Sequence, residues 1–282
     1  MTVITATVCS RALGDELRRL RETCTDLGGA QMAMRLGWHP SKVTNIEKGK
    51  ARASEIDLVQ FLTMCGKDID FFENFRRQYK DAFDEYIVQV HDNLRTVAFA
   101  ESTAKTITSY TPQTVPGLMQ TPEYADAYYR LGGFVAEERI PANVQVRIER
   151  QAILRRHDRP TCLFYVHEVA LLQRIGDDKI MEDQFARLMF NTDIVRIVPL
   201  DVVVPSSGCV LWEYEKSKAV AFSETDLAHM FVQDPGAIAR TRLLFDHLAE
   251  VALDAEQSRR KLAEYVSPPR EEFFDGRGPR LA

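Results

Sequence analysis

Residues 30–51 read AQMAMRLGWHPSKVTNIEKGKA, and the fold of the first part of the chain is decided there. Met32 and Leu36 stand four apart, on one face of a short helix, and Gly37 follows where the chain must turn tightly at positive φ. Pro40 then suits the first position of a second helix, Val43 and Ile46 share its buried face, and Gly49 ends it. Two short helices joined by a tight turn make a helix-turn-helix. Upstream, Leu13, Leu17 and Leu20 form the stripe of a preceding amphipathic helix, with Arg18, Arg19 and Arg21 on its other faces. Downstream, residues 54–65 add a helix whose Ile56, Val59, Phe61 and Leu62 are expected to close the bundle.

Charge separates this part from the rest. The 282 residues carry 36 Lys and Arg against 41 Asp and Glu, a net charge of −5. Residues 1–80 hold 13 basic and 10 acidic side chains, which leaves 23 basic and 31 acidic for residues 81–282. Within 35–52, Arg35, Lys42, Lys48, Lys50 and Arg52 face a single acid, Glu47. A local basic cluster on an acidic chain fits a small nucleic-acid-binding module joined to a part that duplex DNA repels. No apolar run reaches the roughly 18 residues of a membrane helix, and no charged segment followed by an apolar stretch opens the sequence, so a cytoplasmic protein without membrane contact is expected. Five scattered cysteines, with no Cys-x-x-Cys pair, argue against a disulfide framework or a zinc site.

The segment from Leu13 to Gly66 resembles the phage-repressor helix-turn-helix of the XRE group of bacterial transcription regulators. Small Ala33, Leu36-Gly37 at the turn, buried Val43 and Ile46, and the ending Ile46-Glu47-Lys48-Gly49-Lys50 carry the likeness. Gly28-Gly29 stands where that group commonly has Gln or Ser, and His39 where it commonly has a Ser or Thr cap. The resemblance implies double-stranded DNA as partner. A recognition helix enters the major groove by its N-terminal half, so Ser41, Lys42, Thr44 and Asn45 are expected at the bases, and Lys48, Lys50 and Arg52 at phosphates.

Beyond the bundle, Phe72, Phe75, Tyr79, Phe83, Tyr86, Val90, Leu94 and Val97 recur every three or four residues. This predicts one long helix over 68–98, linking a helix-turn-helix domain (1–67) to a second domain (99–266), and offers a seam for a homodimer. In the second domain, strands are expected at 161–166, 193–200, 208–214 and 218–222. Helices are expected at 137–156, 167–175, 179–190, 235–253 and 255–266. Their irregular order points to an α+β layer rather than a βαβ wind. The predicted fold is a mainly α helix-turn-helix bundle plus a larger mixed α+β domain, with 267–282 as a flexible tail.

Phe99-Ala100-Glu101, Val115 through Ala125 (VPGLMQTPEYA), Arg147 to Leu154 (RIERQAIL), His167 to Gly176, Val198-Pro199-Leu200 and Leu248 to Ser258 resemble blocks of a domain attached to XRE modules in actinobacterial WhiJ-like regulators. That resemblance implies a regulator, a repressor or antitoxin-like protein of development or specialised metabolism, often acting with a small partner protein.

Nothing in the chain spells catalysis, and no enzyme, metal or cofactor is expected. The six histidines form no His-x-x-x-His pair. Glu224, Asp226 and His229 are close in sequence but lack a fourth ligand. The arginines between 137 and 159 read as a solvated helix face. Two roles stay open for the second domain. It binds a small partner protein, or it senses a small apolar molecule lined by Tyr110, Leu118, Met119, Tyr128, Phe164 and Trp212; Leu118, Met119, Tyr128 and Trp212 are the residues placed at the partner or ligand contact.

Overall fold

The computed structural model describes residues 6–90, 94–133, 135–225 and 227–266. Five helices come first: α1 (Val8–Cys24), α2 (Gly29–Arg35), α3 (Pro40–Glu47), α4 (Glu55–Met64) and α5 (Ile69–Lys80). Strand β1 (Tyr86–Val90), α6 (Leu94–Thr103) and β2 (Thr106–Thr111) follow, then a 3-10 turn at Gly117–Met119, α7 (Pro122–Gly132) and α8 (Ile140–Arg150). The remainder runs β3 (Thr161–His167), α9 (Val169–Leu172), α10 (Asp178–Met189), β4 (Val195–Val198), β5 (Cys209–Glu213), β6 (Val220–Glu224), β7 (Ala228–Val232), α11 (Pro235–Val251) and α12 (Ala255–Val266). Side chains satisfy several helix starts as the residue types dictate: Thr7 caps α1, Ser54 caps α4, Asp68 caps α5 and Thr121 caps α7.

The seven strands form one sheet in the order β1-β7-β6-β5-β2-β3-β4. β2, β3 and β4 are mutually parallel and joined by helical crossovers, while the other pairings are antiparallel. The mixed α+β class therefore holds, but one end of the sheet is a βαβαβ unit that the irregular order of predicted elements did not suggest. One face packs Tyr110, Tyr165, Leu211 and Ala221 under Ile238, Phe245 and Leu248 of α11. The opposite face joins a core that continues without a break into the helical bundle, from Trp212 and Phe231 to Leu17 and Phe61.

The long helix expected over 68–98 is broken into three pieces. α5 stops at Lys80, and YIVQV pairs antiparallel with β7, Tyr86 opposite Val232 and Val90 opposite Ala228. The pentapeptide is rich in β-branched and aromatic residues; Ile87 is buried while Tyr86 and Val88 are exposed, a period of two that the three-to-four spacing of the larger stripe masked. Phe72, Phe75 and Tyr79 are buried inside their own chain, so the stripe is not free to form a dimer seam. Ile56 and Val59 are exposed; Leu58, with Phe61 and Leu62, closes the bundle instead. Residues 267–282, expected as a tail, lie outside the described residues.

Candidate nucleic-acid interface and a buried pocket

Two glycines set α3 against α1. A Cβ on Gly14 would lie 2.6 Å from the carbonyl oxygens of Ile46 and Glu47, so α1 and the end of α3 touch backbone to backbone. Gly49, at φ 64°, turns the chain out of α3, and its carbonyl accepts a 3.0 Å hydrogen bond from Ser10 Oγ. Between them, Glu47 takes a two-pronged ion pair from Arg21, Nε to Oε1 at 2.7 Å and Nη2 to Oε2 at 3.0 Å. Arg21 Nη1 donates to the Leu27 carbonyl at 3.1 Å. At the other end His39 Nδ1 accepts from Ser41 N at 3.3 Å, so the histidine does cap α3.

This frame leaves Ser41, Thr44, Lys48 and Lys50 exposed and Asn45 half-buried, while Val43 and Ile46 are fully inside. Lys42 and Arg52, expected among the DNA contacts, are engaged within the protein. Lys42 Nζ lies 2.6 Å from Asp57 Oδ1 and 4.3 Å from the Trp38 ring centre, while the Arg52 guanidinium donates to the Lys80 carbonyl and sits over Phe83. Burial raises the Asp57 carboxyl, but hydrogen bonds from Lys42 and from the Ser54 backbone and hydroxyl outweigh it and hold it below its usual range.

The second site lies on the inner face of the sheet, roofed by α6, α8 and the Val115–Gln120 segment. Three buried glutamines fasten that segment. Gln120 Nε2 donates to the Val115 carbonyl at 2.8 Å; Gln151 Nε2 donates to the carbonyls of Gly117 (3.0 Å) and Gln120 (2.8 Å); Gln184 Nε2 donates to Met119 O (2.9 Å) while its Oε1 accepts from Thr121 N (2.8 Å). Leu118 is consequently 4% exposed and Met119 wholly buried, which places both inside the domain rather than on a surface that a protein partner could reach.

Beneath this roof is a cavity of about 130 Å³. Of the six residues named for a ligand contact, Leu118, Tyr128, Phe164 and Trp212 line it, whereas Met119 is absent from its wall and Tyr110 lies on the opposite face, under α11. Its polar lining was not anticipated. Arg147 and Arg150, three apart on α8, are turned inward rather than forming a solvated face. Arg150 makes a bidentate pair with Glu101 at 2.6 and 2.8 Å, and Arg147 donates to Gln120 Oε1 and lies 4.6 Å from the Tyr129 ring centre. Among the described residues, Ser109 Oγ, Thr111 Oγ1, Trp212 Nε1 and Arg147 Nε are buried without a hydrogen-bond partner. Each such group costs about 1–3 kcal/mol unless something occupies the space beside it. His229, on β7, lies 3.3 Å from Glu224 at the cavity's edge; Asp226, the third member of the sequence cluster, lies outside the described residues. No three-residue metal cluster is present among the described residues.

A bundle in which α3 is presented by the packing of α1 and α2 is a helix-turn-helix DNA-binding unit. Comparison with known families agrees: residues 12–70 match the family described as "Helix-turn-helix domain". Residues 94–264, more than half of the chain, match the family described as "Domain of unknown function (DUF5753)", and the chain belongs to that family. No curated protein and no solved structure matches the chain. No helix among the described residues is long and apolar enough to cross a membrane.

Proposed function

We propose that this protein is a sequence-specific, non-enzymatic transcription regulator that binds as a homodimer to an inverted repeat and whose C-terminal domain adjusts DNA binding in response to a small molecule. The observation that carries the DNA-binding half is α3, held by Gly14, Gly49 and the Arg21–Glu47 pair with Ser41, Thr44 and Lys48 exposed. A single module of this kind reads only a few base pairs, which is the reason to expect two half-sites about one helical turn apart. Of the two modulators expected for the second domain, the small molecule is favoured by the burial of Leu118 and Met119 together with the partnerless polar atoms below them.

Anisotropy titration on a selected operator and on random DNA tests the base-reading role. Asn45→Ala is expected to weaken the operator by about 1–3 kcal/mol and random DNA little, whereas Lys50→Ala weakens both alike and lowers the salt slope. Equal losses on both DNAs for Asn45→Ala remove that residue from base readout.

A further inference from the structure

Resting on the sensor reading of the C-terminal domain, we propose that the buried pocket takes a small monocarboxylate with a compact apolar body, and that its occupancy is passed to the DNA-binding helices through α6. Two arginines and two glutamates line the pocket, so the placement of the charges rather than their sum decides the ligand class. Glu101 and Arg150 neutralise each other at 2.6 and 2.8 Å, and Glu224, its side chain nearly half exposed, stands at the edge beside His229. Arg147 is different. It is 7% exposed, has no carboxylate within ion-pair distance among the described residues, and meets only an amide oxygen and the faces of two tyrosines. A guanidinium removed from water in this way favours an anion as its missing partner.

The other walls define the body of the ligand. Phe164, Trp212 and Phe222 form an aromatic floor, and Ser109 Oγ and Trp212 Nε1, on side chains 3% and 1% exposed, offer hydrogen bonds that nothing in the described chain receives. A volume of about 130 Å³ is close to that of a cavity able to hold benzene, so six to nine or so non-hydrogen atoms fit.

The route to DNA is equally local. α6 turns Leu94, Val97 and Glu101 to the pocket and Arg95, Ala98, Phe99 and Ser102 to a cleft of about 470 Å³ whose far wall is α1. The Glu101–Arg150 pair lines both spaces and so separates them. Arg95 pairs with Glu16 of α1 across the cleft, and α1 touches the end of α3 at Gly14. A ligand that pulls on Arg147 or displaces Glu101 therefore shifts the helix on which the recognition helix rests.

The test uses the full chain with benzoate and isovalerate as probes and their uncharged amides as controls, read by calorimetry, thermal melting and the fluorescence of Trp212 in a Trp38→Phe background. The carboxylates are expected to bind roughly tenfold to hundredfold more tightly than the amides and to raise the melting temperature. Arg147→Met is expected to erase the preference while the chain still melts cooperatively; should that variant fail to fold, Ser109→Ala and Trp212→Phe, which keep the charge, are each expected to weaken both carboxylates severalfold. Equal affinity for acids and amides, or no response to any probe at millimolar concentration, overturns the ligand class and marks the space as hydrated only. Carboxylate binding that leaves operator affinity unchanged confirms the ligand class but overturns the α6 route and the sensor reading, whereas operator binding measured without probes stands independently of both.

Discussion

Glu47→Ala is expected to lower the stability of the helical bundle by about 3–5 kcal/mol, read as a shift of the urea midpoint of the full chain. The wild-type carboxylate and the Arg21 guanidinium are 9% and 8% exposed, and they meet through two parallel hydrogen bonds. Removing the carboxylate leaves the cation between α1 and the end of α3 with only the Leu27 carbonyl at 3.1 Å and the exposed, more distant Glu22 carboxylate at 3.3 Å, where water reaches it poorly. Replacing both members, Arg21→Met with Glu47→Leu, removes the charge along with its partner and is expected to recover most of the loss. A loss under about 1 kcal/mol for Glu47→Ala contradicts the assignment, because that is the worth of an exposed pair.

Gly49→Ala is the second large effect. The residue sits at φ 64°, which costs an L side chain about 1–2 kcal/mol. Its Cβ would also fall 2.5 Å from the Ser10 carbonyl group and 2.6 Å from Arg11 N, and overpacking of this sort costs typically about 1–3 kcal/mol more. Gly37→Ala provides the internal control, since Gly37 has φ 67° but open space around the missing Cβ. Gly37→Ala is expected to show the backbone cost alone, and Gly49→Ala the sum, together with weakened operator binding as α3 moves off α1. Equal urea midpoints for the two variants contradict a close contact at Gly49.

The helix-turn-helix was legible because its signals are local. Pro40, Val43, Ile46 and Gly49 lie within ten residues, and each acts on the same turn of chain. Residues 161–166 and 255–266 were legible for the same reason, through a short apolar run and through helical spacing. What the sequence hid depends on partners far along the chain. β1 and β7 are five residues each, too short to carry a long pattern, and β1 gains its order only by pairing with β7 across the whole second domain. Arg147 and Arg150 read as solvated until α8 is laid against α6 and the Val115–Gln120 segment, where Glu101 and Gln120 meet them. Lys42 and Arg52 read as DNA contacts from charge and position, yet Asp57 and the Lys80 carbonyl claim them in the fold. The VPGLMQT stretch is legible as a family block, but two of the three glutamines that fix it, Gln151 and Gln184, lie about 30 and 60 residues further along the chain.

Selection of bound duplexes from a random DNA pool by the full chain at physiological salt tests the central claim most directly. The account predicts enrichment of an inverted repeat with half-sites about one helical turn apart, lost when Asn45 and Thr44 are both replaced by alanine although the protein remains folded. Binding with no enriched sequence, or the same enriched sequence from the doubly substituted protein, would contradict recognition through α3.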